Sequence, residues 1–137
     1  MTLTALLLVL LAALCHAVWN VAAKSAGGDA RFALLSALLV MVGCSAFAVH
    51  PLITIAACGV WLAPLHPDPN LLAITLLMGW GIGIPVNPLS GLHLVIQGRY
   101  GIDGYAFPRW NRVYTLKCLG AGIVLLYLYG ALLGVSA

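Results

Sequence analysis

Asn87, Ser90 and His93 are the side chains whose types and spacing best fit a chemical role. They fall in or just after Gly79-Trp80-Gly81-Ile82-Gly83-Ile84-Pro85-Val86-Asn87-Pro88-Leu89-Ser90-Gly91. Pro85 and Pro88 each remove a helical hydrogen bond and clash with the preceding turn, so carbonyls are freed around them. The carbonyls of Ile84 and Val86, the Asn87 amide and the Ser90 hydroxyl could together coordinate a sodium ion, since hard cations prefer oxygen ligands. Alternatively, the amides that start the following half-helix could face an anion. His93 lies one turn beyond Ser90 and could be protonated during a transport cycle. The plainer reading of the same residues is a kinked structural helix or a loop at a membrane interface. A second pair, His16 and Asn20, shares one helix face by its spacing of four. Polar groups of this kind inside a membrane either line a pathway or hydrogen-bond to a neighbouring helix.

The elements that must position these residues follow from composition. Of 137 residues, 64% are hydrophobic and 7% charged, against roughly 25% charged in a soluble domain. The apolar runs are continuous, whereas a membrane β-barrel alternates apolar and polar residues along each strand. The expected fold is therefore all-α: one polytopic membrane domain over residues 1–137, with four to five transmembrane or re-entrant helices. These are expected over about 3–24, 31–49, 51–65, 71–83 with 90–98 after a break, and 113–135. The discontinuous one lies in the apolar run from Leu71 to Gln97, and about 20 residues suffice to cross a bilayer. In lipid a freed carbonyl finds no water, so an interrupted helix survives only inside protein or beside a wet cavity. In transporters such interruptions hold ions and substrates near the midplane.

The first apolar segment ends before the first cation, Lys24, whereas a secretory leader is positive before its apolar run; a retained helix is expected. Gly27-Gly28-Asp29 reads as a tight turn. The next segment closes at His50-Pro51, because the residue before proline leaves helical geometry. Leu52–Leu65 is short and is either re-entrant or a thin span. In the loop around Pro67, Asp68 could accept from the amides of the next helix start, and Asn70 is a candidate cap. Gly79 and Gly83 permit close helix approach. Gln97–Arg112 reads as an interfacial loop with its aromatics at headgroup level. Its cations outnumber Asp103 and place it in the cytoplasm. A cytoplasmic Lys24–Arg31 loop would put both basic loops on one side, with Leu52–Leu65 re-entrant and both termini outside.

Several classes are excluded. No basic patch is interleaved with stacking aromatics, so no nucleic-acid partner is expected. Cys15, Cys44, Cys58 and Cys118 lack metal-type spacing and read as small apolar residues; no metal or other cofactor is expected. Asp29, Asp68 and Asp103 all fall in loops, which leaves no carboxylate pair and no Ser/His/Asp group, and His16, His50 and His93 match no haem spacing. An enzyme is not expected.

The string Ala12-Ala13-Leu14-Cys15-His16-Ala17-Val18-Trp19-Asn20-Val21-Ala22-Ala23-Lys24 resembles the opening of EamA-type transporters of the drug/metabolite transporter superfamily, whose first helix often reads His-Ala-x-Trp-Asn-x-x-x-Lys. The resemblance covers the first third of the chain and stops at about Val49. It implies a share in a bundle of about ten helices that exports small metabolites, which 137 residues are too few to form. Residues from His50 to about Tyr100 are more faintly similar to the final part of ion-transporter-superfamily carriers, on Asn87-Pro88 and the flanking glycines. That likeness implies cation-coupled transport with Asn87 and Ser90 near the ion. The resulting expectation is a transporter or transporter fragment in the lipid bilayer of a bacterial inner membrane. It would move a small solute or cation and assemble with itself or with other chains. The alternative is a non-catalytic membrane subunit or scaffold that completes a larger helical assembly.

Overall fold

The computed structural model describes residues 2–25 and 30–132, with no strand among them. Gly27-Gly28-Asp29 lies outside the described residues. Six α-helices follow in order: α1 (Leu3–Ser25), α2 (Ala30–Ala46), α3 (Pro51–Leu62), α4 (Pro69–Gly83), α5 (Gly91–Tyr100) and α6 (Ala106–Leu132). Among the described residues, Pro69–Tyr100 taken through its interruption, and Ala106–Leu132, are long and apolar enough to cross a membrane. Ala30–Ala46 and Pro51–Leu65 are apolar but shorter.

Helices α2, α3, α4 and α6 form the core, centred on Leu34, Leu38, Met41, Cys58, Leu62, Leu71 and Leu126. Small residues bring them together. The Met41 side chain lies over Gly79, where an added Cβ would come within 2.7 Å of its Sδ; Ser45 covers Gly83 and Met78 covers Gly122. Without side chains at these glycines, neighbouring helices can approach closely. None of the described α1 side chains is buried.

The four core helices alternate in direction. At one end Arg31 of α2 donates to the Gly130 carbonyl of α6 (3.4 Å), and Arg31, Leu71 and Leu126 border one small niche. At the other end Asn87 reaches the Val49 carbonyl and Asn111 reaches the Pro85 carbonyl. Helix α3, extended by a 3-10 turn over Ala63–Leu65, therefore runs back along α2 for about 24 Å. Arg31 and the Arg109–Arg112 turn stand at opposite ends of this core, because α3 returns along α2.

Local signals explain the boundaries. Helix α2 stops at Ala46, three residues before the expected Val49. Ala48 turns left-handed (φ 67), and the amides of Ala48 and Val49 bond back to the carbonyls of Ser45 and Cys44, the paired closure that ends many helices. His50 belongs to the next helix. It caps α3, its Nδ1 accepting from the Leu52 amide (3.3 Å) ahead of Pro51 at the first position. Asp68 caps α4, Oδ1 accepting from Asn70 and Leu71 (2.9 and 3.0 Å); Asn70 sits inside the first turn.

The loop expected over Gln97–Arg112 shrinks to residues 101–105. Helix α6 starts at Ala106, not near 113, and Asp103 sets that start. Its Oδ1 accepts from the Tyr105 amide (3.1 Å) and its carbonyl from the Ala106 amide. Pro108 falls in the first turn, where a missing amide costs nothing because it has no intrahelical partner anyway.

Candidate functional site

The interruption between α4 and α5 is an elbow. Pro85 has no amide to continue the α-helical ladder, and the chain tightens to a 3-10 turn over Ile84–Val86. Asn87, restricted by the following Pro88, is extended (φ −86, ψ 113). Ser90 then caps α5, its Oγ accepting from the His93 amide (3.4 Å). Pro88 is fully buried, and Asn87 is 1% exposed.

The polar groups of the elbow bond to one another and to its neighbours. The Ile84 carbonyl accepts from the Asn87 amide. The Asn87 side chain donates from Nδ2 to the Val49 carbonyl (3.0 Å), and its Oδ1 accepts from the Leu89 amide (2.8 Å). The Asn87 carbonyl meets the Ser90 amide and His93 Nδ1 (2.7 Å). Since a carbonyl only accepts, the neutral His93 ring carries its proton on Nδ1. Gln97 Nε2 donates to the Pro88 carbonyl (2.9 Å) and Asn111 Nδ2 to the Pro85 carbonyl (3.1 Å). His93 is 6% exposed and stacks flat on Phe107, centroids 4.0 Å apart. Burial without partners is costly for such groups; here nearly every one named is matched.

This geometry places the predicted residues. Asn87, Ser90 and His93 come together, but as joints of the elbow: the Asn87 amide is committed on both atoms and Ser90 serves as a cap. Of the proposed cation ligands, the Ile84 carbonyl, the Asn87 Oδ1 and the Ser90 Oγ each accept from one amide and keep a second lone pair, and none of the hydrogen bonds described reaches the Val86 carbonyl. The elbow also lies level with the α2–α3 turn, through Val49, and with the Arg109–Arg112 turn of α6, through Asn111. The interruption lies midway along Pro69–Tyr100, as expected from the apolar run, and at one end of the core formed by α2, α3, α4 and α6. His16 and Asn20 are on α1, but their side chains lie outside the described residues. Sequence reasoning passed over Asn111, Gln97 and the Val49 carbonyl. Gln97, four residues after His93, shares its helix face and was findable; Asn111 was hidden by reading its segment as loop.

Beside the elbow opens a cleft of ≈ 310 Å³, bordered by His50, Pro51, Trp80, Ile84, Ser90, Gly91 and Leu92. No carboxylate borders it. His50 accepts at Nδ1 from the Leu52 amide, so its neutral ring carries the proton on Nε2; Trp80 and Ser90 are the other polar side chains of the border. At the opposite end the niche by Arg31 is only ≈ 20 Å³. Among the described residues no cluster of His, Cys, Asp or Glu is suited to a metal ion; Cys44, Cys58 and Cys118 are free thiols. Compared with family models, with curated proteins and with solved structures, the chain finds no match.

Proposed function

We propose that the chain is a multi-pass protein of a bacterial inner membrane, with four to five spanning or re-entrant helices, that acts as a non-catalytic subunit or scaffold within a larger helical assembly. The observation that carries this reading is the closure of the elbow. Carbonyls of residues 84, 85, 87 and 88 all have donors within the chain, so the interruption serves to fix helix directions. An open α1 is consistent with a partner. Leu3, Leu7, Leu10, Leu14, Val18 and Val21 are all exposed, and with spacings of three and four they lie along one face suited to another helix. The test is chemical crosslinking in native membranes followed by mass determination. Adducts of fixed mass, formed through α1, are expected; a chain recovered only as monomer at every crosslinker concentration would sink the reading.

The cleft favours a second reading, transport of a small solute or cation by a carrier of which this chain is the whole or a part. The EamA-type and ion-transporter-superfamily resemblances support it. In this reading Ser90, His50 and Trp80 touch the solute while Asn87 and His93 hold the elbow in place. Sodium uptake into proteoliposomes tests it: flux above protein-free vesicles that falls in Ser90→Ala is expected. Equal flux with and without protein would remove the sodium form of the idea.

A further inference from the structure

We infer that the α5–α6 hairpin is a docking surface for anionic phospholipid, with Arg99 and Arg112 meeting the headgroup phosphates. The inference rests on the membrane reading above and not on the choice between scaffold and carrier. Its first support is charge. The elbow end of the bundle carries Arg99, Arg109, Arg112 and, a little further along α6, Lys117, against Asp103 alone. Arg109 is taken up by Asp103 (3.0 Å) in an exposed pair. Arg99, Arg112 and Lys117 are exposed and have no carboxylate partner among the described residues. Among the described residues the opposite end offers nothing comparable: Arg31 engages the Gly130 carbonyl and Asp68 is a helix cap.

The second support is the order of residues along the two helices. On the outer face of α5, Leu92 and Val95 are 66% and 65% exposed and lead by helical spacing to Arg99. On α6, Arg112 leads by the same spacing to Leu116, 66% exposed. The helices are joined by residues 101–105, so both stripes have their cations at the loop end and their apolar residues away from it. Exposed Tyr100, Tyr105 and Trp110 mark the same level, where amphipathic rings favour the membrane–water boundary. His93 stacked on Phe107 holds α5 against the start of α6, and Gln97 on the Pro88 carbonyl ties α5 back to the elbow. Acyl chains fit the apolar stripes and a phosphate fits the cationic end. Each basic side chain near an anionic surface is worth about 1 kcal/mol, or roughly fivefold in binding.

The test uses the full chain purified in neutral detergent and short-range energy transfer from its tryptophans to labelled phosphatidylglycerol or phosphatidylcholine. At least tenfold tighter binding of phosphatidylglycerol at low salt is expected, weakening as sodium chloride rises. In R99Q/R112Q, both exposed, the preference should fall below threefold; R109Q, whose charge is already paired, should keep most of it. Millimolar inorganic phosphate should not displace the lipid, because it lacks the acyl chains. Equal binding of the two lipids by the unmodified chain overturns the inference, as does an unchanged preference in R99Q/R112Q, an equal loss in R109Q, or displacement by phosphate. None of these readouts depends on a protein partner or on transport, so failure here is separable from failure of the proposed function.

Discussion

Two regions hold α4 in place by opposite means. Along its length, Gly79 and Gly83 press against Met41 and Ser45 of α2, a seam made of volume. At its C-terminal end the elbow is a set of directional bonds from Asn87, His93, Gln97 and Asn111. A seam of small residues tolerates small shifts until a methyl group is added. A hydrogen-bonded elbow fails when one partner goes, because the other stays buried without a mate. The difference also fits their places. The seam runs through the apolar body of the bundle, where polar groups are costly; the elbow sits at the cationic end, where Asn111 is only half-buried.

The sharpest way to break the comparison is Asn87→Ala. It deletes the bonds to the Val49 carbonyl and from the Leu89 amide at a site 1% exposed. Two orphaned backbone groups at about 1–3 kcal/mol each give an expected loss of about 3 kcal/mol or more. Unfolding in mixed micelles with increasing SDS measures it. A loss under about 1 kcal/mol would mean that water or a relaxed turn replaces the amide, and that the elbow is less closed than described.

Gly83→Ala probes the seam. The new Cβ would collide with Ser45 Oγ and lie 2.9 Å from its Cβ, which is nearer than ordinary packing allows. Overpacking of this kind costs about 1–3 kcal/mol. Because the obstruction is one side chain, Ser45→Gly in the same chain should restore much of the loss. A double-mutant cycle in the same assay checks this; simple additivity would show that Ser45 is not what Gly83 makes room for.

Asn111→Leu returns to the elbow with a smaller expected effect. It removes the donor to the Pro85 carbonyl, but water can reach this half-buried position. A loss of about 1 kcal/mol is expected, clearly below that of Asn87→Ala. Equal losses would contradict the ranking by burial.

How far these regions were legible in sequence differs for a physical reason. Proline chemistry is local, so Pro85 and Pro88 announced the interruption, and Ser90 to His93 is one helical turn. The glycine spacing of the seam was visible too, but not that Met41 and Ser45 would fill it. The bonds that close the elbow join Asn87 to Val49 and Asn111 to Pro85, residues 38 and 26 apart, and no periodicity encodes such pairings. For the same reason the neighbours of the elbow were not legible: an apolar run sets the length of a span, not which neighbouring turn a kink within it meets. The start of α6 was missed because Arg, Trp and Pro suggested a loop, yet Asp103 supplies a helix start and Pro108 falls where a proline is harmless.

The last prediction concerns the turn on which Asn87 leans. Ala48 holds a left-handed conformation (φ 67) so that the Val49 amide can reach back to the Cys44 carbonyl, leaving the Val49 carbonyl for Asn87. An L side chain is strained there, whereas glycine adopts the conformation freely. Ala48→Gly should therefore stabilise the fold by about 0.5–1 kcal/mol, after the extra freedom glycine gives the unfolded chain is subtracted. The gain should persist in Gly83→Ala, since the turn and the seam are separate. It should shrink in Asn87→Ala if a well-formed turn stabilises mainly by presenting its carbonyl to the elbow. Unfolding midpoints of the three variants, alone and combined, measure that coupling. An unchanged gain in the Asn87→Ala background would mean that the turn stabilises α2 and α3 alone and that the elbow only borrows its carbonyl.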